Sequence, residues 1–335
     1  MAEFSREKSA SAVPPAVDCW YLTGPTAAGK TAIGVELAER LGAEIVSLDS
    51  MALYREMNIG TAKPSRADRA RVPHHLVDLV APTDEFSLSE YVDAAHASIA
   101  EIKGRGRACL FVGGTPLYLK SLLRGVYQGP AADWEFRQQI ERELQTLPLV
   151  ALHQRLQVID PLLAAKLHPN DKRRIVRGLE VFKLTGQRLS HLQTQFDEGR
   201  AASAVKVFVL SWQRDELHRR IDARVEQMFA GGLVEEVGGL LARYGSLSRT
   251  AMQAVGYREV IEFLGGPANS SGFAACIERV KARTRQFARR QETWFRALSE
   301  CTFVPMQVGF EAAGVAKSIV KLASQRAPSV DRCSP

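Results

Sequence analysis

Apolar and polar positions in the first third of the chain alternate between two patterns. CWYLTG, EIVSLD, HLVDLV and ACLFVGG are short, nearly unbroken apolar runs of strand length, whereas TAIGVELAERLG and SLSEYVDAAHASIAEIKGRG carry apolar residues at helical spacing. Both helical stretches bring their own punctuation. Gly42 closes the first, serines are available to cap the second, and glycine ends it. This alternation predicts an α/β fold, a mostly parallel sheet flanked by helices that binds its ligand at the carboxyl ends of the strands.

After YQGPAAD the pattern changes. From Trp134 to His191 only helical periodicity remains, broken at Pro148, Pro161 and Pro169. The apolar run VKVFVLSW (Val205–Trp212) restores the strand pattern, and a long helix opens near Asp215. A short strand, TFVP, and a closing helix follow. We therefore expect a disordered lead-in over 1–17, a core of 18–128 and 202–325 and a helical insertion over 129–201. A flexible tail over 326–335 completes the expected organisation.

Composition narrows the class only modestly. The chain has 335 residues, 46% of them hydrophobic and 24% charged, as in an ordinary globular protein, and a formal charge of +7 that hints at a polyanionic partner. Five scattered cysteines with no C-x-x-C pair argue against a zinc or disulfide framework and fit a reducing compartment. No apolar run approaches the ~20 residues of a membrane span, and the polar N-terminus has no h-region. These features lead us to expect a soluble cytoplasmic protein; a monomer is expected by default, with no feature of composition behind it.

The chemistry begins at GPTAAGKT. Gly24, Pro25, Thr26, Ala27, Ala28, Gly29, Lys30 and Thr31 match the phosphate-loop pattern G-x-x-x-x-G-K-[ST], set between an apolar strand and a helix. Loop N–H groups and the helix dipole hold the anion, Lys30 contacts an outer phosphate, and Thr31 is placed to ligate Mg²⁺. ATP or GTP is the default occupant of such a loop. The second predicted strand ends at Asp49, beside this loop; that carboxylate could ligate Mg²⁺, accept a proton from a nucleophile, or cap the next segment. Arg55 and Lys63 bring cations to the same stretch. In FVGGTPLYLK, Gly113 and Gly114 allow close backbone approach to a ligand, with Thr115 a binding group or a helix cap.

Two basic features follow. Arg220 and Arg224 lie one helical turn apart beside an apolar stripe of Ile221, Val225 and Met228, either reaching a polyphosphate or facing solvent. Between Arg279 and Arg296 seven Lys/Arg stand against one acid, Glu292, and Val280, Phe287 and Trp294 recur every seven residues as a packing stripe. That density with aromatics interleaved favours a nucleic-acid backbone over a merely solvated face. NDKRRIVRGLE adds a second basic cluster within the insertion. His74 and His75 are adjacent and favour hydrogen bonding over one shared metal. The guanine-reading N-K-x-D is absent, as is a second strand ending in an ATPase motor's acidic pair, so the loop can hold a diphosphate that is a leaving group.

Taken in order, GPTAAGKT, DSMALYREMNIGTAKP, PHHLVDL, GGTPLYLK, HPNDKRRIVRGLEVFKLTG, RIDARVEQM, AVGYREV and RRQETWFR resemble the tRNA dimethylallyltransferases (tRNA isopentenyltransferases) over nearly the whole chain. The resemblance implies a P-loop kinase-like core with a helical insertion. It also implies transfer of the dimethylallyl group of dimethylallyl diphosphate to N6 of the adenosine 3′ to the anticodon, tRNA position 37, with the anticodon stem-loop as partner and Mg²⁺ as cofactor. Thr26, Gly29, Lys30 and Thr31 would then hold diphosphate and Mg²⁺, Asp49 would be the base at N6, and Arg224 would touch the phosphates. The tRNA-contacting positions it implies are Asp49, Ser50, Met51 and Ala52; Thr115 and Arg137; and Arg173, Arg174, Ile175, Val176 and Arg177. Gln253, Gly256, Tyr257 and Arg258, then Arg289, Arg290, Gln291, Trp294 and Arg296, complete the set. The chain departs from the family at Ala52, where glutamine is frequent, and at Pro116, where a small or flexible residue is usual. Three rival readings are a small-molecule P-loop kinase using ATP, an adenylate isopentenyltransferase acting on free nucleotide, and a non-catalytic RNA-binding protein. The first two are disfavoured by the basic helix.

Overall fold

The computed structural model describes residues 14–127, 129–193, 199–266 and 270–325. Most of the expected lead-in, the whole of the expected tail and Cys333 lie outside these residues. Among the described residues the chain forms two compact units, parting between Leu123 and Arg124 and again between Glu198 and Gly199.

The sheet unit opens with β1 (Trp20–Thr23), α1 (Lys30–Leu41), β2 (Ala43–Ser47), α2 (Arg66–Arg71), β3 (His74–His75), α3 (Leu88–Gly104), β4 (Ala108–Val112) and α4 (Pro116–Arg124). The helical unit contributes α5 (Trp134–Glu143), α6 (Leu149–Ile159), α7 (Pro161–Lys166), α8 (Lys172–Thr185) and α9 (Leu189–Leu192). The sheet unit resumes with β5 (Lys206–Ser211), α10 (Arg214–Ala230), α11 (Leu233–Tyr244), α12 (Arg249–Met252), α13 (Tyr257–Leu264), α14 (Ser270–Arg296), β6 (Cys301–Pro305) and α15 (Ala312–Ser324).

All six strands are parallel, in the order β3-β2-β4-β1-β5-β6. Helices cover both faces, so the strands read as unbroken apolar runs, and every residue of β2 is buried. The register sets Leu22 opposite Val112 and Ser47 opposite Val112, so the loops leaving β1, β2 and β4 emerge together at one sheet edge. At β1 the strand order reverses: β4, β2 and β3 lie on one side, β5 and β6 on the other. That reversal opens a ligand crevice at the carboxyl ends.

Two elements differ from the sequence reading. HLVDLV (75–80) joins the sheet only through His75, in β3, and makes an isolated parallel bridge from Val80 to Tyr54, because Leu76 and Asp78 adopt left-handed φ values of 58° and 57° that turn the chain out of the extended form. The two histidines make separate hydrogen bonds, His74 Nδ1 with the Val72 carbonyl (2.8 Å) and His75 Nε2 with Glu44 (2.7 Å). On α14 the inward stripe is Val280, Ala288, Gln291 and Phe295, not Val280, Phe287 and Trp294. A strict seven-residue repeat drifts around a straight helix of 3.6 residues per turn, which carries Trp294 to the surface, 39% exposed.

The helical unit closes over its own core of Phe136, Ile140, Leu152, Leu156, Ile175 and Leu179. Glu180, fully buried, accepts from Arg137 Nε (2.7 Å) and from Arg177 (2.6 Å). Burial opposes its charge, but the two guanidinium groups hold its carboxyl below the ordinary glutamate value.

Candidate active site

The phosphate loop is shaped by its glycines and held from outside. Gly24 (φ 143°) lies so close to β5 that a Cβ there would meet the Leu210 carbonyl at 2.8 Å. Gly29 (φ 93°) starts α1, and its Cβ would strike Phe310 at 2.8 Å. Trp212 Nε1 donates to the Ala28 carbonyl (3.1 Å) and Arg220 Nε to the Ala27 carbonyl (2.9 Å). The Arg220 guanidinium sits over Trp212 at 4.3 Å, and Phe310 packs edge-on against the same indole. With the Ala27 and Ala28 carbonyls engaged from outside, the loop runs into the start of α1, whose first backbone N–H groups have no partner within the helix, the arrangement that binds phosphate.

Two further loops meet it at the sheet edge. Leu48 N donates to the Val112 carbonyl (2.9 Å) and Thr115 N to the Leu48 carbonyl (3.1 Å), which ties the Asp49 segment to the Gly-Gly turn. A Cβ on Gly113 would lie 2.2 Å from the Leu48 carbonyl oxygen, so only glycine permits this approach. Asp49 Oδ1 accepts from Met51 N (2.8 Å) and Ala52 N (3.4 Å), which fixes the carboxylate at the mouth of the crevice. Thr115 does not spend its hydroxyl on a helix cap: Oγ1 accepts from Ser50 N at 3.1 Å and thereby braces the Asp49 segment.

The cations divide by role. Lys30 Nζ donates to the Gly24 (3.0 Å) and Pro25 (2.7 Å) carbonyls, which leaves one of its three N–H bonds for a ligand. Burial and the neighbouring Arg224 charge lower its pKa to about 7, against the opposing pull of Asp49. Burial also lowers the Arg224 pKa, again with Asp49 opposing, and Arg224 Nε is buried with no hydrogen-bond partner among the described residues. A half-buried arginine whose buried Nε has no partner, beside a lysine and a phosphate loop, is a place for an anion. The expected face shared by Arg220 and Arg224 therefore splits: Arg220 is structural and Arg224 faces the site. Arg55 and Lys63 are likewise structural. Arg55 donates to the Asp78 and Leu79 carbonyls, and Lys63 pairs with Asp78 at 2.5 Å.

Among the described residues no three His, Cys, Asp or Glu side chains cluster to hold a metal. The donor at the loop is the Thr31 hydroxyl, and one hydroxyl fits Mg²⁺, which takes the rest of its shell from substrate phosphate and water.

The remaining expected RNA contacts fall on both sides of the surface. Arg173 and Arg174 in the helical unit are exposed, as are Gln253, Arg258, Arg289, Arg290, Trp294 and Arg296 in the sheet unit. Ile175 and Val176 instead face the core of the helical unit, the apolar face of α8. Tyr257 is buried with its hydroxyl on Glu236 (2.5 Å), and Ala52 and Gly256 are buried, so these positions shape loops without presenting side chains. Gln291 is 3% exposed and faces inward. Trp212, Phe310 and the inward role of Gln291 escaped the sequence reading. Trp212 was findable as the residue ending an apolar strand at the ligand edge, whereas Phe310 carries no local signal.

Residues 52–298 match the model of the family described as IPP transferase. The chain is 46% identical over 324 residues to a tRNA dimethylallyltransferase of Rhodopirellula baltica, covering 94% of this chain and 92% of that protein. It is 44% identical to one of Geobacter metallireducens, covering 86% and 93%. The fold matches the full-length tRNA isopentenylpyrophosphate transferase of Bacillus halodurans, with a TM-score of 0.64, 35% identity, and 92% and 97% of the two chains covered. It also matches a eukaryotic dimethylallyltransferase acting on tRNA, with a TM-score of 0.69 and 26% identity over 92% and 77%. With a family model over most of the chain and relatives above 40% identity along nearly its whole length, this chain is a member of the IPP transferase family.

Proposed function

We propose that the protein transfers the dimethylallyl group of dimethylallyl diphosphate to N6 of the adenosine 3′ to the anticodon, tRNA position 37, and releases diphosphate. One observation carries the reading: Arg224, half-buried with its buried Nε unpartnered, lies with Lys30 and Asp49 at the mouth of a phosphate loop. A diphosphate satisfies both cations and the N–H groups at the start of α1. Asp49 then remains as the base facing the acceptor.

An adenine amino group is a weak nucleophile, and the allylic carbon turns electrophilic only as its diphosphate departs. The C–O bond to diphosphate breaks, the C–N bond to N6 forms, and the N6 proton passes to Asp49. Lys30 and Arg224 stabilise charge growing on the leaving oxygen in a desolvated site, where such interactions are strongest. Asp49, oriented by the Met51 and Ala52 N–H groups, aligns N6 and accepts its proton. Thr31 would hold Mg²⁺, which would supply further neutralisation of the diphosphate. The target adenosine swings out of its loop to enter the crevice, at a cost of about a few kcal/mol. Exposed Arg289, Arg290 and Arg296 on α14 engage the anticodon stem backbone, so RNA affinity falls with salt. The phosphate loop, Asp49 and both cations come from one chain, which supports action as a monomer.

The test is incubation with dimethylallyl diphosphate, Mg²⁺ and unmodified tRNA, followed by nucleoside mass spectrometry. A prenylated adenosine at position 37 is expected. Phosphate transfer from ATP without prenyl transfer, or prenylation of free AMP but not of tRNA, would overturn the reading.

A further inference from the structure

We infer that Gln291 is a positioning residue through which RNA engaged on α14 sets the phosphate loop for diphosphate; the inference rests on the transfer reaction proposed above. α14 has two faces of opposite character. Arg289, Arg290 and Trp294 are exposed, while Gln291, next to Arg290 in sequence, is 3% exposed and points inward. Its companions on the inward stripe are Val280, Ala288 and Phe295, so packing alone asks for an apolar residue there. A buried amide is costly unless both ends are satisfied, and both are. Oε1 accepts from Thr26 N at 2.9 Å, and Nε2 donates to the Gly114 carbonyl at 2.6 Å. An N–H faces the oxygen and a carbonyl faces the nitrogen, so the amide has one orientation.

One side chain therefore joins the phosphate loop, the Gly-Gly turn and the basic helix. Gly114 is fitted to this junction: a Cβ there would stand 2.6 Å from Gln291 Nε2 and 3.4 Å from Lys30 Nζ. α14 is also tied to α10, the helix bearing Arg224, by Lys281–Glu226 (2.7 Å) and Arg285–Asp222. RNA that orders α14 consequently orders the elements carrying Thr26, Lys30 and Arg224. Diphosphate then binds a loop whose ordering cost is already met, and the two ligands favour each other reciprocally.

The experiment measures binding of a non-reactive thiolodiphosphate analogue of dimethylallyl diphosphate to the full chain. It is run with and without an unmodified anticodon stem-loop RNA. In wild-type protein the RNA should tighten analogue binding about fivefold or more. RNA alone should also slow amide hydrogen exchange across residues 24–31. Gln291→Met keeps length and volume without either hydrogen bond, and should reduce the RNA effect to less than about twofold with RNA affinity unchanged. Gln291→Glu keeps the acceptor for Thr26 but sets a carboxylate oxygen against the Gly114 carbonyl, and should also lose the effect. The inference is overturned if wild-type protein shows no RNA effect, if Gln291→Met retains it, or if the variant weakens the analogue equally with and without RNA. Should the variants not fold, unchanged exchange in the wild-type loop on RNA addition overturns it alone. All readouts are binding readouts, so they stand apart from product formation, whose absence would instead count against the proposed reaction.

Discussion

Lys30 offers the sharpest quantitative test. Burial and the Arg224 charge bring its pKa down to about 7, so in free enzyme it titrates near neutrality. A diphosphate beside Nζ restores a pKa toward the ordinary lysine value of about 10.4, and binding above neutrality must then draw a proton onto Lys30. At about pH 8 the free lysine is roughly one-tenth protonated, so binding takes up about 0.9 proton; at about pH 6 it takes up about 0.1. Over that upper range affinity falls as pH rises, by up to about tenfold per unit, since each binding event must first protonate the site. The sign for stability is the reverse. A lysine whose folded pKa is lowered holds fewer protons folded than unfolded between about pH 7 and 10.4. Its contribution therefore destabilises most below pH 7 and relaxes as pH rises through that window.

The assay is calorimetry of the thiolodiphosphate analogue in buffers of low and high ionisation enthalpy, at about pH 6 and about pH 8. The slope of binding enthalpy against buffer ionisation enthalpy is the number of protons taken up. Diphosphate titrates near neutrality too, and Lys30→Arg, which stays charged throughout, supplies the ligand's own contribution. The wild-type slope should exceed that of Lys30→Arg by about 0.9 at pH 8 and converge with it at pH 6. Equal slopes at pH 8 would mean that Lys30 is already charged in free enzyme, and the electrostatic reading of the site would be wrong.

Three further outcomes follow from the same geometry. Asp49→Asn should lower single-turnover prenyl transfer by about 10²–10⁴-fold, the range for a lost general base, with stem-loop affinity by filter binding unchanged; a rate within tenfold of wild type would remove Asp49 as the base. Gly113→Ala forces a Cβ to within 2.2 Å of the Leu48 carbonyl, so thermal denaturation should show about 1–3 kcal/mol lost or, where the backbone yields, the rate should fall with the displacement of Asp49. Arg289→Ala and Arg290→Ala, both on the exposed face of α14, should each reduce the slope of log affinity against log salt by about one, and a slope equal to wild type would place the RNA elsewhere.

How much of this was legible beforehand depends on whether a residue's partner is local. The phosphate loop was readable because its requirements are met by its own residues: positive φ at Gly24 and Gly29, and a helix start directly after. Asp49 and Gly113 were readable because apolar runs predict strands, and strand ends in a parallel sheet converge at one edge. The sorting of cations was not. Arg220 and Arg224 share a helix face by spacing. Which one is consumed by Trp212 and the Ala27 carbonyl, and which is left facing Asp49, depends on strands distant in sequence. Arg55 and Lys63 look like site cations until Asp78 and its neighbours claim them. Gln291 shows the limit most directly. Within RRQETWFR it reads as one more polar residue on a basic helix. Only the 3.6-residue turn, which sends Ala288 and Phe295 inward in place of Phe287 and Trp294, brings its amide to Thr26 and Gly114. A sequence displays the charges a site can draw upon; the fold decides which stay uncommitted, and here Asp222 and Glu226, the acids flanking Arg224 on α10, are held by Arg285 and Lys281.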